Sequence, residues 1–152
     1  FLFMPFFFKE NKKAYIFAWL GAICIFLSTI FYAMVGLTPG DLYFNAHVFA
    51  VFTAFRLTLP GVLFLMLAFY FSKASNIYTI GAFLLLASVV AYIIFMGDMP
   101  QIDPINDREN FVRFVSMDVL MLNVILQKLI VIAMLVSMFM FTFGFQKLKQ
   151  LS

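Results

Sequence analysis

AYIFAWLGAICIFLSTIFYAMVGL, residues 14–37, carries no acidic or basic side chain over its whole length. At 1.5 Å per residue such a stretch makes a helix of roughly 36 Å, enough to cross a hydrocarbon layer of about 30 Å. Lys9, Lys12 and Lys13 stand before it and TPGD, residues 38–41, ends it. Pro39 cannot continue the helix and Gly40 frees the turn. The reading is a membrane-crossing helix, and the rest of the chain repeats it.

Three more apolar blocks follow, at residues 46–72, 77–97 and 118–146. The second and third are joined by the tight connection KASN. The third and fourth are separated by residues 98–117, which include DMPQIDPINDRENFVRF, the one extended polar stretch. Its two prolines and mixed charges predict a surface loop with a short helix from Arg108. The expected fold is all-α: a single integral membrane domain over residues 1–152, a polytopic helical bundle with four full spans. The opening FLFMPFFFKENKK begins with an apolar piece, Phe1–Phe8, too short to cross a bilayer and without the basic start of a signal peptide. It reads as the end of an earlier helix, so the chain is expected to be an N-terminal stub plus four spans of a larger bundle of about six helices.

Composition agrees. The chain is 65% hydrophobic and only 11% charged, against roughly 25% charged in soluble domains. Its 23 Phe and 10 Met fit lipid-facing bulk or an AT-rich genome as readily as a function. Cys24, the single cysteine, excludes an internal disulfide and a cysteine metal site. A lone histidine excludes a multi-histidine metal site within this chain, and no cofactor motif is present. The net charge of +3 comes from residues that flank the apolar blocks, so it points to lipid and topology and not to nucleic acid. The basic residues of KENKK, Lys73 and the pair Lys147 and Lys149 all fall on one side. By the positive-inside rule that side, with the C-terminus, faces the cytoplasm. The expected location is a prokaryotic cytoplasmic membrane, with the polar loop outside.

Two cations break the apolar blocks. Arg56 lies 16 residues before Ser72 and Lys128 lies 18 before Gln146, roughly 24 and 27 Å from the cytoplasmic boundary. Both therefore belong to one layer in the outer leaflet. His47, Asp41, Asn123 and Gln127 lie toward the same side. Asn123 and Gln127 are four apart, on one helical face, whereas nine residues put His47 and Arg56 on opposite faces. Pro60 removes the hydrogen bond to the Arg56 carbonyl, which makes a bend there unsurprising. No span supplies an acid for Arg56. Its counter-charge is then a carboxylate elsewhere, backbone carbonyls, or an anionic ligand such as a phospholipid headgroup, which Arg binds in bidentate fashion.

The junction MVGLTPGDLYFNAHVFAVF, residues 34–52, resembles that of the FRAG/DRAM/Sfk-type membrane proteins, including their prokaryotic branch, the domain of unknown function 998 family. Gly36, Pro39 and His47 match its Gly-x-x-Pro turn and following histidine, and Gln127 with Lys128 is similar to the pair in its last helix. The resemblance implies six helices and a link to lipid handling, and carries over no cofactor and no catalytic residue. The function expected is lipid binding or membrane organisation through the outer polar layer of Arg56, Lys128, His47, Asp41, Asn123 and Gln127, with membrane lipids as partners. The alternatives are an accessory subunit that pairs these cations with acids of other membrane subunits, and a lipid-modifying enzyme that uses His47 and Asp41. A non-enzymatic role is preferred, because no nucleophile stands at a recognisable spacing.

Overall fold

A computed structural model describes residues 2–40, 42–74, 76–100 and 102–151, the last without its side chain. Four long helices dominate it: α1 (Lys12–Leu37), α2 (Phe44–Phe71), α3 (Asn76–Asp98) and α5 (Met117–Leu151), with a short α4 (Arg108–Phe114) between the last two. All four long helices are apolar and long enough to cross a membrane. The chain is a multi-pass integral membrane protein, and the described residues contain no strand.

Each boundary has a local cause. Asn11 caps α1 by accepting hydrogen bonds from the Lys13 and Ala14 amides at 3.0 and 3.2 Å, which satisfies two of the donors a helix start leaves open. Its own amide donates to the Phe71 carbonyl at 2.7 Å, so one side chain ties the start of α1 to the end of α2. Before it, a 3-10 helix at Met4–Phe8 occupies the segment read as the end of an earlier span. Phe8 is buried there, edge-on to Phe69 and Phe145, while Phe7 stacks on Phe145 at 5.0 Å. α2 runs unbroken through Pro60.

The helices pack in chain order, α1 on α2, α2 on α3 and α3 on α5. The tightest pairing, α1 with α2, is built from small residues. Ala14, Ala18, Gly21, Ala22 and Ser28 on α1 are buried against Ala50, Ala54, Thr58, Gly61 and Ala68 on α2. Their three- and four-residue spacing keeps them on one face of each helix. In lipid, apolar side chains gain little by leaving the solvent, so association depends on such close backbone approach and on hydrogen bonds between helices. The closest approach to backbone is at Gly21, where an added Cβ would stand 3.0 Å from the Gly61 carbonyl oxygen. Further along the same seam, Ser28 Oγ donates to the Ala54 carbonyl at 2.8 Å and lies 2.7 Å from Thr58 Oγ1.

α1 and α5 share no extensive contact, and the 3-10 helix touches both at one end only. That end also carries Lys12, Lys13 and Lys73, with an exposed Lys73–Glu10 pair at 3.7 Å; it is the basic end. The opposite, loop end holds residues 98–100 and 102–116.

Candidate functional site

Three aromatic and polar contacts set a common depth across the bundle. Tyr32 of α1 meets Phe55 of α2 at 5.4 Å, and Phe55 meets Tyr92 of α3 at 4.6 Å between ring centroids. The Tyr92 hydroxyl in turn accepts a hydrogen bond from Gln127 Nε2 of α5 at 2.9 Å. Phe55 and Gln127 are the immediate neighbours of Arg56 and Lys128 in the chain, so both cations belong to this layer. It lies six residues, roughly 9 Å, from the end of α3 at Asp98.

Within the layer the polar residues separate. His47, Asn123 and Gln127 line one cavity of about 260 Å³ at the loop end, together with Tyr92. Arg56 and Lys128 do not line it. Both are exposed on outer helix faces, and the Arg56 guanidinium lies 5.4 Å from the Phe52 ring centre, one helical turn away and within cation–π range. Helical phase accounts for the split. Arg56 follows the buried Ala54 by two residues, and Lys128 precedes the buried Ile130 by two; two steps of 100° turn a side chain to the far side of its helix. Asp41 lies outside the described residues.

The cavity sits between α2, α3 and α5. Its roof is the connection after α3, whose Met99, Ile102 and Pro104 turn inward, and Phe111 of α4 closes it further. A segment read as a surface loop is thus also a lid, held by its own turn. Asp103 Oδ1 accepts from the Ile105 and Asn106 amides at 2.8 and 3.0 Å, and its Oδ2 accepts from the Asn106 side chain at 2.7 Å. These bonds, led by the Asn106 backbone amide, hold the Asp103 carboxyl below its ordinary 3.8.

His47 reaches across the α1–α2 turn. Its Nδ1 stands 2.6 Å from the Thr38 carbonyl oxygen. A carbonyl can only accept, so Nδ1 carries the proton and donates, leaving Nε2 of the neutral ring as an acceptor. Thr38 is the residue that caps α1, and its carbonyl is one of those a helix end leaves open. The Tyr92 hydroxyl is the centre of a second cluster. It donates to Asn123 Oδ1 at 3.3 Å, and Gln127 Nε2 also approaches that oxygen at 3.4 Å. Tyr92 is 1% exposed, so its hydroxyl is removed from lipid and satisfied within the protein, as burial of a polar group requires.

Tyr92 escaped the sequence reading because the α3 block is apolar throughout and a tyrosine in it passes for interfacial bulk. The available signal was weak: an aromatic hydroxyl on the inner face set by Gly81, Leu85 and Val89, at three- and four-residue steps. Among the described residues no group of three or more His, Cys, Asp or Glu could hold a metal ion. Protein-family models, curated proteins and solved structures yield no match to this chain.

Proposed function

We propose that the protein binds a membrane lipid at its loop end, with the headgroup held in the polar layer and the tails left in the bilayer. The observation that carries this reading is the roofed cavity of about 260 Å³, mostly apolar, onto which His47, Tyr92, Asn123 and Gln127 converge from three helices. A largely apolar hollow with a few placed polar groups is the usual form of a small-molecule site. Arg56 and Lys128 add to it from outside. Their layer is roughly 9 Å below the end of α3, and the aliphatic stems of Arg and Lys span several ångströms, so both cations reach toward headgroup phosphates. The clustering of Lys12, Lys13, Lys73, Lys147 and Lys149 toward one end supports placing that end in the cytoplasm and the cavity on the outer side of a prokaryotic membrane. The resemblance of the Gly36, Pro39 and His47 junction to lipid-handling membrane proteins points the same way.

Native mass spectrometry of the protein released from lipid nanodiscs tests the reading. The expected result is a retained lipid that is lost when Val51→Trp fills the cavity. A protein that retains no lipid, or retains it equally in Val51→Trp, overturns it.

One observation favours a second reading, an accessory subunit. Arg56 is exposed within an apolar helix, and α1, α2, α3 and α5 carry acids only near helix ends, at Asp98 and Asp118. A second copy of these helices therefore brings no carboxylate to that depth, and a protein partner would have to be a different chain. Stoichiometric co-purification of such a chain, lost in Arg56→Ala, is the result that reading requires.

A further inference from the structure

The hydrogen bonds around Tyr92 also specify what kind of headgroup the cavity accepts. The Tyr92 hydroxyl donates to Asn123 Oδ1 and accepts from Gln127 Nε2, and Asn123 Oδ1 receives Gln127 Nε2 as well. This closed set consumes the carbonyl of Asn123 and the amino group of Gln127. It leaves the Asn123 amino group and the Gln127 carbonyl without a partner among the described residues. Exchanging the orientations of both amides reverses every bond and leaves the same balance, one free donor and one free acceptor. His47 Nδ1 is engaged by the Thr38 carbonyl, which in the neutral ring leaves Nε2 as a further acceptor. None of the described residues that line the cavity is Asp, Glu, Lys or Arg.

We infer that the cavity takes an uncharged headgroup that both donates and accepts hydrogen bonds, a hydroxyl or amide at the end of an apolar chain, as in a monoacylglycerol. This rests on the lipid-binding reading and narrows it. A phosphate offers chiefly acceptors and would leave the free carbonyl facing negative charge in a hollow that no described Lys or Arg lines. A quaternary ammonium offers no hydrogen bond at all. A charged group brought into this apolar hollow also loses its hydration with nothing there to replace it. The volume agrees. The hollow, at about 260 Å³, is many times the roughly 10–15 Å³ that admits a single water. A glycerol head and its ester fill that space, and the acyl chain must leave between the helices. Arg56 and Lys128, exposed on the outer faces, then serve the phospholipids around the protein and not the occupant of the cavity.

The test is competition in phosphatidylcholine nanodiscs that contain equal amounts of monooleoylglycerol, methyl oleate and lysophosphatidic acid, read by native mass spectrometry of the wild-type protein. Monooleoylglycerol is expected to be retained about tenfold over both competitors, the discrimination of one well-placed hydrogen bond. Gln127→Met and Asn123→Leu are each expected to erase that preference, while Ile132→Ala, on an exposed face of α5 outside the cavity lining, keeps it. Equal retention of methyl oleate, or preferential retention of lysophosphatidic acid, overturns the inference while leaving lipid binding intact. Retention of none of the three defeats both together. A parallel arm with monobutyrylglycerol added from water separates sources: binding as tight as that of the oleoyl compound means the ligand is a soluble polyol ester and not a bilayer lipid. Should either variant fail to fold, the wild-type competition decides alone.

Discussion

Gln127 on α5 donates its side-chain amide to the hydroxyl of Tyr92 on α3 at 2.9 Å, across 35 residues of sequence. The bond fixes two things at once. It sets the rotation of α5 about its own axis, which turns Asn123 and the still exposed Gln127 toward α3 and the cavity and Lys128 away from it. It also satisfies the Tyr92 hydroxyl, which α3 carries into the cavity lining.

Because Tyr92 and Gln127 act through each other, their substitutions are not additive. Tyr92→Phe and Gln127→Leu should each lower the thermal midpoint of the purified protein in detergent. In the double-mutant cycle a coupling of roughly 0.5–1.5 kcal/mol is expected, the range found for hydrogen bonds between membrane helices. Additive losses would mean that the two side chains do not meet.

The glycines give a test with a built-in control. A Cβ on Gly61 would stand 2.7 Å from Ile25 Cγ1 and 3.2 Å from the Ile25 amide nitrogen, whereas one on Gly36 would meet nothing within 4 Å. Gly61→Ala must push α1 away from α2, at a cost of about 1–3 kcal/mol for overpacking. Gly36→Ala should be neutral or stabilising by up to about 1 kcal/mol, the helix-propensity difference. Gly81→Ala falls between them, because its neighbours at 2.9 and 3.0 Å are the Cε and Sδ of Met140, the mobile end of a flexible side chain. The order of thermal midpoints, Gly36→Ala above Gly81→Ala above Gly61→Ala, is the result to look for.

The helices were legible in the sequence because membrane spans announce themselves by length and by the absence of charge, independent of their neighbours. Helical phase puts His47 and Arg56 on opposite faces, since 100° per residue holds in any straight helix, and of the two only His47 lines the cavity. The small-residue seam from Ala14 to Ser28 was visible in the letters, but its partner Ala50–Ala68 is defined only once the two helices are paired. Depth counting placed Arg56, Lys128, Asn123 and Gln127 together. It could not show that the first two turn outward, because direction depends on which face of α5 finds α3. The cavity was illegible for the same reason. Its roof comes from a segment whose Asp and Pro content reads as solvent-exposed turn, and only its apolar residues, Met99, Ile102 and Pro104, fold back.

That roof should respond to acid. The carboxyl of Asp103 has its pKa lowered by the amide hydrogen bonds of Asn106 and Ile105, so the turn gains stability from the ionised form. The contribution is fully present above the ordinary 3.8 and is lost as pH falls through the lowered value. Hydrogen exchange at the Ile105 and Asn106 amides should therefore be slow at neutral pH, relative to Asp103→Ala, and the difference between the two proteins should vanish only in strong acid. A difference that disappears between pH 5 and 6 would place the protection in some other group.

His47 offers the sharpest single-residue test, because its geometry dictates a tautomer. With Nδ1 donating to the Thr38 carbonyl at 2.6 Å, the neutral ring must carry its proton on Nδ1, which is the less common form in water. Nitrogen-15 spectra of the selectively labelled histidine should show a protonated Nδ1 and an unprotonated Nε2 at pH 8. The ring also lies against Gly40, with Cδ2 3.7 Å from where a Cβ would stand, so the bond closes the turn between α1 and α2. His47→Ala should cost about 1–2 kcal/mol, as removal of one partner from a helix-end carbonyl does. His47→Asn, whose side-chain amide can donate to the same carbonyl, should recover part of that loss. Recovery by Asn assigns the histidine to holding the turn. A protein that is stable in both variants, with a histidine protonated on Nε2, would instead release His47 from Thr38 and leave Nδ1 free to act on a bound lipid.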